Sequence, residues 1–418
     1  MKTSPISTQL IHDLKFLTSK ETEGRVSGSK GAKMTATYIA NVLSNLGILP
    51  AGDDGYFSSL NIYAARLNGN VTLKVGEKKL QHRTDFGEIS KYSNPTGNSV
   101  HGELMIVNDG EEINPSRLKG KVVLVPEKPD KLDLAATVKG AEELGVAAML
   151  IEGGEPKWFV KSLHGSRENS IPVFHVRKSI VNEIAQLDGE IVQIELPLIS
   201  ENRTCQNVLG LLPGKDTTKI LVLSAHYDHL GDDPNGHRFP GAVDNASGVS
   251  VLLETARKLS GQTLPFTILF AFFTGEESGL LGAKHFIKHT QLPISTVINI
   301  DSLGFEPVLN KMRNGHKEPG NWLADLSAEV IKKHDVEIAW IAGGEDSFAF
   351  QAVNIPAIGL GQKPTERKER SIHTPDDDLE HLYLKPIQQG FKIFNEIIEI
   401  LIQHPEKVVN FPFKKHQY

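Results

Sequence analysis

The sequence predicts an α/β protein: a mixed, mostly parallel sheet sandwiched by helices, with a β-rich module inserted into it. Three observations lead there. From about Gln206 onward, apolar runs of strand length alternate with helical stretches, the pattern of a parallel sheet covered on both faces. Between about residues 68 and 200 the pattern changes to short β-rich runs separated by turns. Acid and imidazole residues of the second half fall where apolar runs end, and sites in open α/β sheets gather at the carboxyl ends of strands. The expected division is a discontinuous main domain, residues 1–66 and 206–418, around an insert at 67–205.

In chain order, residues 1–65 look helical. Leu10, Ile11, Leu14 and Leu17 share helical spacing, and after the turn Glu23–Gly28 so do Met34, Tyr38, Ile39, Val42 and Leu43, up to Gly47. The insert carries the runs Val71–Val75, Leu104–Val107 and Val122–Val125, a helix near Leu134–Leu144, then Ala147–Ile151 and Ile171–Phe174. Its histidines His164 and His175 are isolated and read as structural or surface residues. Beyond it, strands are expected at Ile220–Ala225, Phe266–Phe273, Thr296–Ile300, Val336–Ile341 and Ala357–Leu360, and helices at about 248–260, 279–289, 319–334 and 386–403. The last starts at Pro386, a favoured first-turn residue, and lines up Phe391, Phe394, Ile397, Ile398 and Leu401.

Composition narrows the function classes. The chain has 418 residues, a formal net charge of −6 and no basic stripe, so no nucleic-acid partner is expected. The most apolar stretch, Leu264–Phe273, is too short to span a bilayer, so no membrane partner is expected either. Cys205 is the only cysteine, which excludes an internal disulfide. The first residues lack the pattern of a signal peptide, so the expected location is cytoplasmic, with a secreted mature form as the alternative. Nothing in the sequence sets the oligomeric state.

Six residues carry chemistry: His226, Asp244, Glu276, Glu277, Asp301 and His373. His226 ends the run Ile220–Ala225. The other nitrogen of a metal-binding imidazole usually donates to an acceptor, and Asp228 is the candidate here; His-x-Asp alone is a weak signal, and His229 is not taken as a ligand. Asp244 lies in the polar turn Gly241–Gly248 and by itself reads first as a helix cap or Asx turn. Glu276 and Glu277 follow a strand too apolar to face water, where adjacent carboxylates are costly unless paired or metal-bound. Their side chains diverge, so Glu277 is assigned as a ligand and Glu276 as a general base. Asp301 ends another strand, and His373 sits in a loop where a lone histidine is more often structural. The weight comes from the ordered set His, Asp, Glu, Asp, His, each residue at a strand end or in a turn. Two imidazoles and four carboxylates without thiolate suit two divalent metals and one spare base, zinc first, with manganese or cobalt as substitutes. Neither His-Glu-x-x-His nor Gly-x-Ser-x-Gly occurs.

These segments resemble the co-catalytic di-zinc exopeptidases of the aminopeptidase Y and bacterial leucyl aminopeptidase type, relatives of glutamate carboxypeptidase and the transferrin receptor. The matching stretches are Ser224–Gly231, Gly241–Gly248, Phe273–Gly282, Asn299–Asp301 and His373–Asp377, with the turns Glu23–Arg25 and Gly47–Asp53. The insert looks like the family's protease-associated domain. The resemblance implies one zinc on His226 and Asp301, a second on Glu277 and His373, Asp244 bridging them, Glu276 as base and Asp228 orienting His226. It also implies a cis peptide at Asp244–Asn245 and hydrolysis of the N-terminal peptide bond of a peptide substrate through a water between the metals. A carboxypeptidase or dipeptidase-like hydrolase on the same core, and a binding module that lost the chemistry, are the rival readings. Two places depart from the family: Ile372 stands where members often have a tyrosine, and Glu345-Asp346-Ser347 replaces Ser-Asp-His.

Overall fold

The computed structural model describes residues 7–93, 99–108, 115–127, 133–162, 171–315, 321–341, 343–365 and 372–409. His164 lies outside them. Two sheets organise the chain. The larger has nine strands, ordered Leu49–Pro50, Leu198–Leu212, Phe266–Phe273, Asp216–His226, Ile294–Ile300, Ala357–Gln362, Lys311–Asn314 and Glu337–Ala339, with Phe57–Leu67 paired to Leu198–Leu212 off this path. Its four central strands, Phe266–Phe273 to Ala357–Gln362, run parallel. Period-two alternation sends their side chains to opposite faces. Leu221, Leu223, Phe266, Ile268, Phe270 and Phe272 join one core, with the helices Thr8–Leu17, Lys30–Asn45, Ser247–Leu259 and Leu384–Gln403. Ile220, Val222, Leu269, Ala271 and Phe273 join the other, under Leu281–His289 and Ser347–Gln351. Every residue of Phe266–Phe273 is buried, as a strand covered on both faces must be.

The smaller sheet has eight strands, all within residues 72–195, except that none reaches the larger sheet by pairing. The chain leaves the larger sheet along Phe57–Leu67 and returns along Leu198–Leu212, antiparallel from Phe57↔Val208 to Leu67↔Leu198. This ribbon corrects the helical expectation for residues 1–65. Leu60, Ile62 and Ala64 alternate with exposed residues, a period of two rather than 3.6. The ribbon's far end, Ala65, Leu67 and Leu198, packs into the insert's own core, so the two bodies share one stiff connection. Among the described residues no helix is long and apolar enough to cross a membrane.

Candidate metal centre

Three parallel strands end side by side. His226 pairs with Phe273, so Glu276 and Glu277 start a short turn beyond its level. Ser224 pairs with Asn299, which puts His226 and Asp301 level with each other. Asp244 comes from the irregular turn Ala242–Ala246, whose Asp244–Asn245 peptide is cis, as the resemblance implies. Asn245 ties that turn to the next strand: its amide donates to Ile300 O at 3.1 Å, and its Oδ1 accepts from Gly248 N and Ser302 N. Gly241 opens the turn at φ 60; a Cβ there would lie 2.6 Å from the His229 ring. The buried Arg25 guanidinium donates to Tyr227 O, Leu17 O, Pro240 O and Gly241 O, lashing the Glu23–Arg25 turn to the His226 strand end and the Asp244 turn. A Cβ on Gly24 (φ 64) would meet Phe239 O at 2.7 Å, so this turn needs glycine.

The predicted donors converge. His226 Nε2 lies 3.3 Å from Asp244 Oδ1 and 3.3 Å from Asp301 Oδ1. His373 Nε2 lies 3.1 Å from Asp244 Oδ2 and 3.2 Å from Glu277 Oε2. The two oxygens of Asp244 thus face two different histidines. These spacings exceed the roughly 2.7–2.9 Å of a good charge-assisted hydrogen bond. They match the edge of a tetrahedron, about 3.3 Å, around an ion with N and O ligands at roughly 2.0–2.2 Å. His226, Asp244 and Asp301 form one buried group with metal-binding reach; His229, Asp244 and Glu277 form a second. His229 Nδ1 lies 2.8 Å from Glu277 Oε1, an ordinary hydrogen-bond distance.

The electrostatics ask for positive charge. Burial alone would depress His226, but Glu276 and the carboxylates of Asp228, Asp244 and Asp301 outweigh it and hold the imidazole well above its usual range. His373 is raised in the same way by Glu277 and Asp244. Burial pushes Glu277 up, yet the His373 and His229 rings bring it down to about 2. Glu276 goes the other way: burial, with Glu277, Asp346 and Asp301 close by, holds it well above the carboxylate range despite His226. Asp346 is raised by burial and by Asp228, Glu345 and Asp301, and among the described residues neither of its buried carboxylate oxygens has a hydrogen-bond partner. Arg313 is a guanidinium at this cluster, 2.9 Å from Asp301 Oδ2, and the buried Arg25 also lies within the field of Asp228, Asp244 and Glu277. A buried, carboxylate-rich pocket with donors at tetrahedral spacing fits a divalent metal.

The family model of peptidase family M28 matches residues 207–398. That part of the chain is similar to M28 peptidases and is termed the M28 domain. Among curated relatives, aminopeptidase YwaD of Bacillus subtilis is 28% identical over 286 residues, a match covering 65% of this chain and 60% of YwaD. This chain therefore covers less than two thirds of that relative. The solved aminopeptidase from Aneurinibacillus sp. strain AM-1 superimposes with a TM-score of 0.71 at 21% identity, over 97% of this chain and 96% of that one. BSAP, a zinc aminopeptidase from Bacillus subtilis, gives 0.69 at 22% identity, over 96% of each. Both share the fold.

The M28 domain also uses residues that spacing did not single out. Asp377 accepts Val243 N at 2.6 Å and Asp244 N at 3.2 Å, holding the turn that carries Asp244; burial lifts its carboxyl to about 6. Asp228 does more than sit beside His226. Its main-chain oxygen is 3.2 Å from His226 Nδ1, while its carboxylate, 3.6 Å from that nitrogen, accepts from Ser27 Oγ and from the Glu276 main-chain N–H. Ile372 packs against the main core, so no phenol stands before His373. Glu345 accepts from Asn299 Nδ2 at 2.7 Å and from the Ser347 main-chain N–H at 2.8 Å, which explains why an acid is tolerated in that buried strand-end turn. The signals for these residues are hydrogen bonds between distant parts of the chain, which periodicity does not carry.

Proposed function

We propose that the protein is a zinc-dependent aminopeptidase that holds two zinc ions. The observation that carries this reading is Asp244, whose two oxygens each face a different histidine, with Asp301 beside one and Glu277 beside the other. On this reading His226 and Asp301 would hold one ion, Glu277 and His373 would hold the other, and Asp244, which faces both histidines, would serve the two. His229, at hydrogen-bond distance from Glu277, orients that ligand. The names of the relatives support the activity and the metal. Bound zinc supplies Lewis acidity, lowering the pKa of a water and polarising a carbonyl.

The chain supplies the rest. Glu276, held above the usual carboxylate range by burial and its acidic neighbours, takes a proton from the attacking water and returns it to the leaving amine. Its main chain is held by Asp228, which fixes where the carboxylate reaches. The excess of carboxylates favours a substrate with a free ammonium. Arg313 is spent on Asp301, which leaves it poorly placed to clamp a C-terminal carboxylate and weighs against the carboxypeptidase reading. The test is product analysis by mass spectrometry on free and N-acetylated peptides, with chelated protein and again after zinc is restored. Zinc-dependent loss of single N-terminal residues from the free peptides alone is expected. Cleavage from the C-terminus, or equal cleavage of the acetylated peptides, would overturn the aminopeptidase reading.

A further inference from the structure

The inserted module reaches the metal centre through one short segment. The main-chain N–H of Lys161 donates to His373 O at 2.9 Å. Trp158 Nε1–H donates to Asp376 Oδ1 at 3.0 Å, and Lys157 Nζ lies 2.6 Å from Asp376 Oδ2. The segment is itself pinned. Phe159 N donates to Arg83 O at 2.7 Å, and Lys161 Nζ reaches Gly231 O at 2.7 Å and Asp233 Oδ1 at 2.8 Å. It therefore grips two loops near the site, the one after His229 and the one that carries His373.

The second loop has reason to need a grip. His373 has φ 64, a left-handed conformation that a non-glycine residue keeps only where its surroundings hold it. Its carbonyl is held by Lys161, which belongs to the other body. Three residues on, Asp376 is held by Trp158, and Asp377 in turn holds the N–H groups of Val243 and Asp244. One loop thus links the insert to both the His373 and the Asp244 donors. His373 is also the most exposed of the proposed ligands, its side chain 29% accessible against 0% for His226.

We infer that the Lys157–Lys161 segment positions the metal centre: it sets the geometry of His373 and thereby the affinity of the metal position that His373 shares with Glu277. Trp158 and Lys161 are positioning residues, acting through the His373 loop without touching substrate. The inference rests on the two-metal reading above.

The test is a zinc titration of the full chain against a competing chelator, with kcat and KM measured alongside on an N-terminally free peptide. Trp158→Phe keeps an aromatic ring at the position and removes the hydrogen bond to Asp376. It is expected to weaken one of the two zinc equivalents by about tenfold, the scale of a lost bond to a charged acceptor, and leave the other unchanged. kcat should fall at limiting zinc with KM little altered, and excess zinc should restore it. Asp376→Asn, made from the other side, should shift the same equivalent, and the double variant should be no worse than the worse single one. If both variants bind two equivalents as the parent does, with parental kcat, the inference is overturned and the two-metal reading stands. If both equivalents weaken together in proportion to lost thermal stability, the role is structural and the inference is again overturned. A parent chain that binds no zinc would instead overturn the two-metal reading, and this inference with it.

Discussion

The molecule buries two clusters of charge, and they are built on opposite terms. At the junction between insert and M28 domain, Arg83 lies 2.7 Å from Asp233 and 2.7 Å from Glu88, Lys161 lies 2.8 Å from Asp233, and His82 lies 2.8 Å from Glu88. Two cations meet two carboxylates at ion-pair distances, so the cluster's charges balance from within. In the metal centre Asp228, Asp244, Glu276, Glu277, Asp301 and Asp346 gather around three imidazoles, with Arg313 on one of them, and the closest approaches of His226 and His373 to carboxylates relax to 3.1–3.3 Å. Burial of that much negative charge is unfavourable unless a cation from outside joins it. Balance, rather than the mere presence of buried acids, separates a structural charge cluster from a site that binds something.

The sharpest way to break the comparison is to remove one carboxyl charge from each cluster. Glu276→Gln should lower kcat by about 10²–10⁴-fold, the usual worth of a general base, while zinc content stays at the parental level. Glu88→Gln should leave kcat within a few-fold and lower stability instead. Steady-state kinetics and metal analysis on both variants decide this; equal turnover in Glu276→Gln would remove its role. The next effect is on folding. Arg83→Met leaves Glu88 and Asp233 without their main partner and should cost about 3–5 kcal/mol in urea unfolding of the chelated protein.

The pH dependence of the junction follows from its pairing. Burial pushes Glu88 up, but Arg83 and His82 more than reverse this and hold it at about 2, against 4.5 for a free carboxylate; Asp233 is held below its ordinary range by Arg83 and Lys161. A depressed acid contributes stability that is complete above its unfolded pKa and is lost as pH falls toward the folded one. The parent chain should therefore lose about 3 kcal/mol between roughly pH 4.5 and 2 from Glu88. Arg83→Met should show a much flatter loss over that window in acid unfolding followed by circular dichroism.

What could be read in advance divides along physical lines. Phe266–Phe273 was legible because a strand buried on both faces is apolar throughout, and His226 and Asp301 were legible because each ends such a run. The Phe57–Leu67 and Leu198–Leu212 ribbon was not: one arm follows two true helices, and the other carries the polar run Ser200, Glu201, Asn202 and Arg203. The junction cluster was invisible because Arg83, Lys161 and Asp233 lie far apart in the chain and no spacing joins them. The insert was read as a module without chemistry of its own; its loop at Lys157–Lys161 lies against the site all the same. His229, Asp377 and Arg25 act through partners that only the folded chain brings near.

The smallest expected effect is the most discriminating, because its sign differs between the clusters. Asp233→Asn removes a partner that two cations need and should destabilise the chain. Asp346→Asn removes a buried carboxyl that has no hydrogen-bond partner among the acids of the metal centre, and should stabilise the metal-free protein by about 1 kcal/mol. The pH dependence gives an independent check of that sign. Asp346 is held above its ordinary range by burial and by Asp228, Glu345 and Asp301, with only His226 opposing. A raised acid penalises the folded state progressively as pH climbs above its unfolded pKa. The advantage of Asp346→Asn should therefore be absent near pH 3.5 and grow toward neutrality. With zinc restored it should shrink, since bound cations relieve the same crowding. Calorimetric melts of chelated and zinc-loaded protein across that range measure all three trends. A lower melting temperature for chelated Asp346→Asn at neutral pH would mean that the acids of the metal centre are balanced by the chain after all.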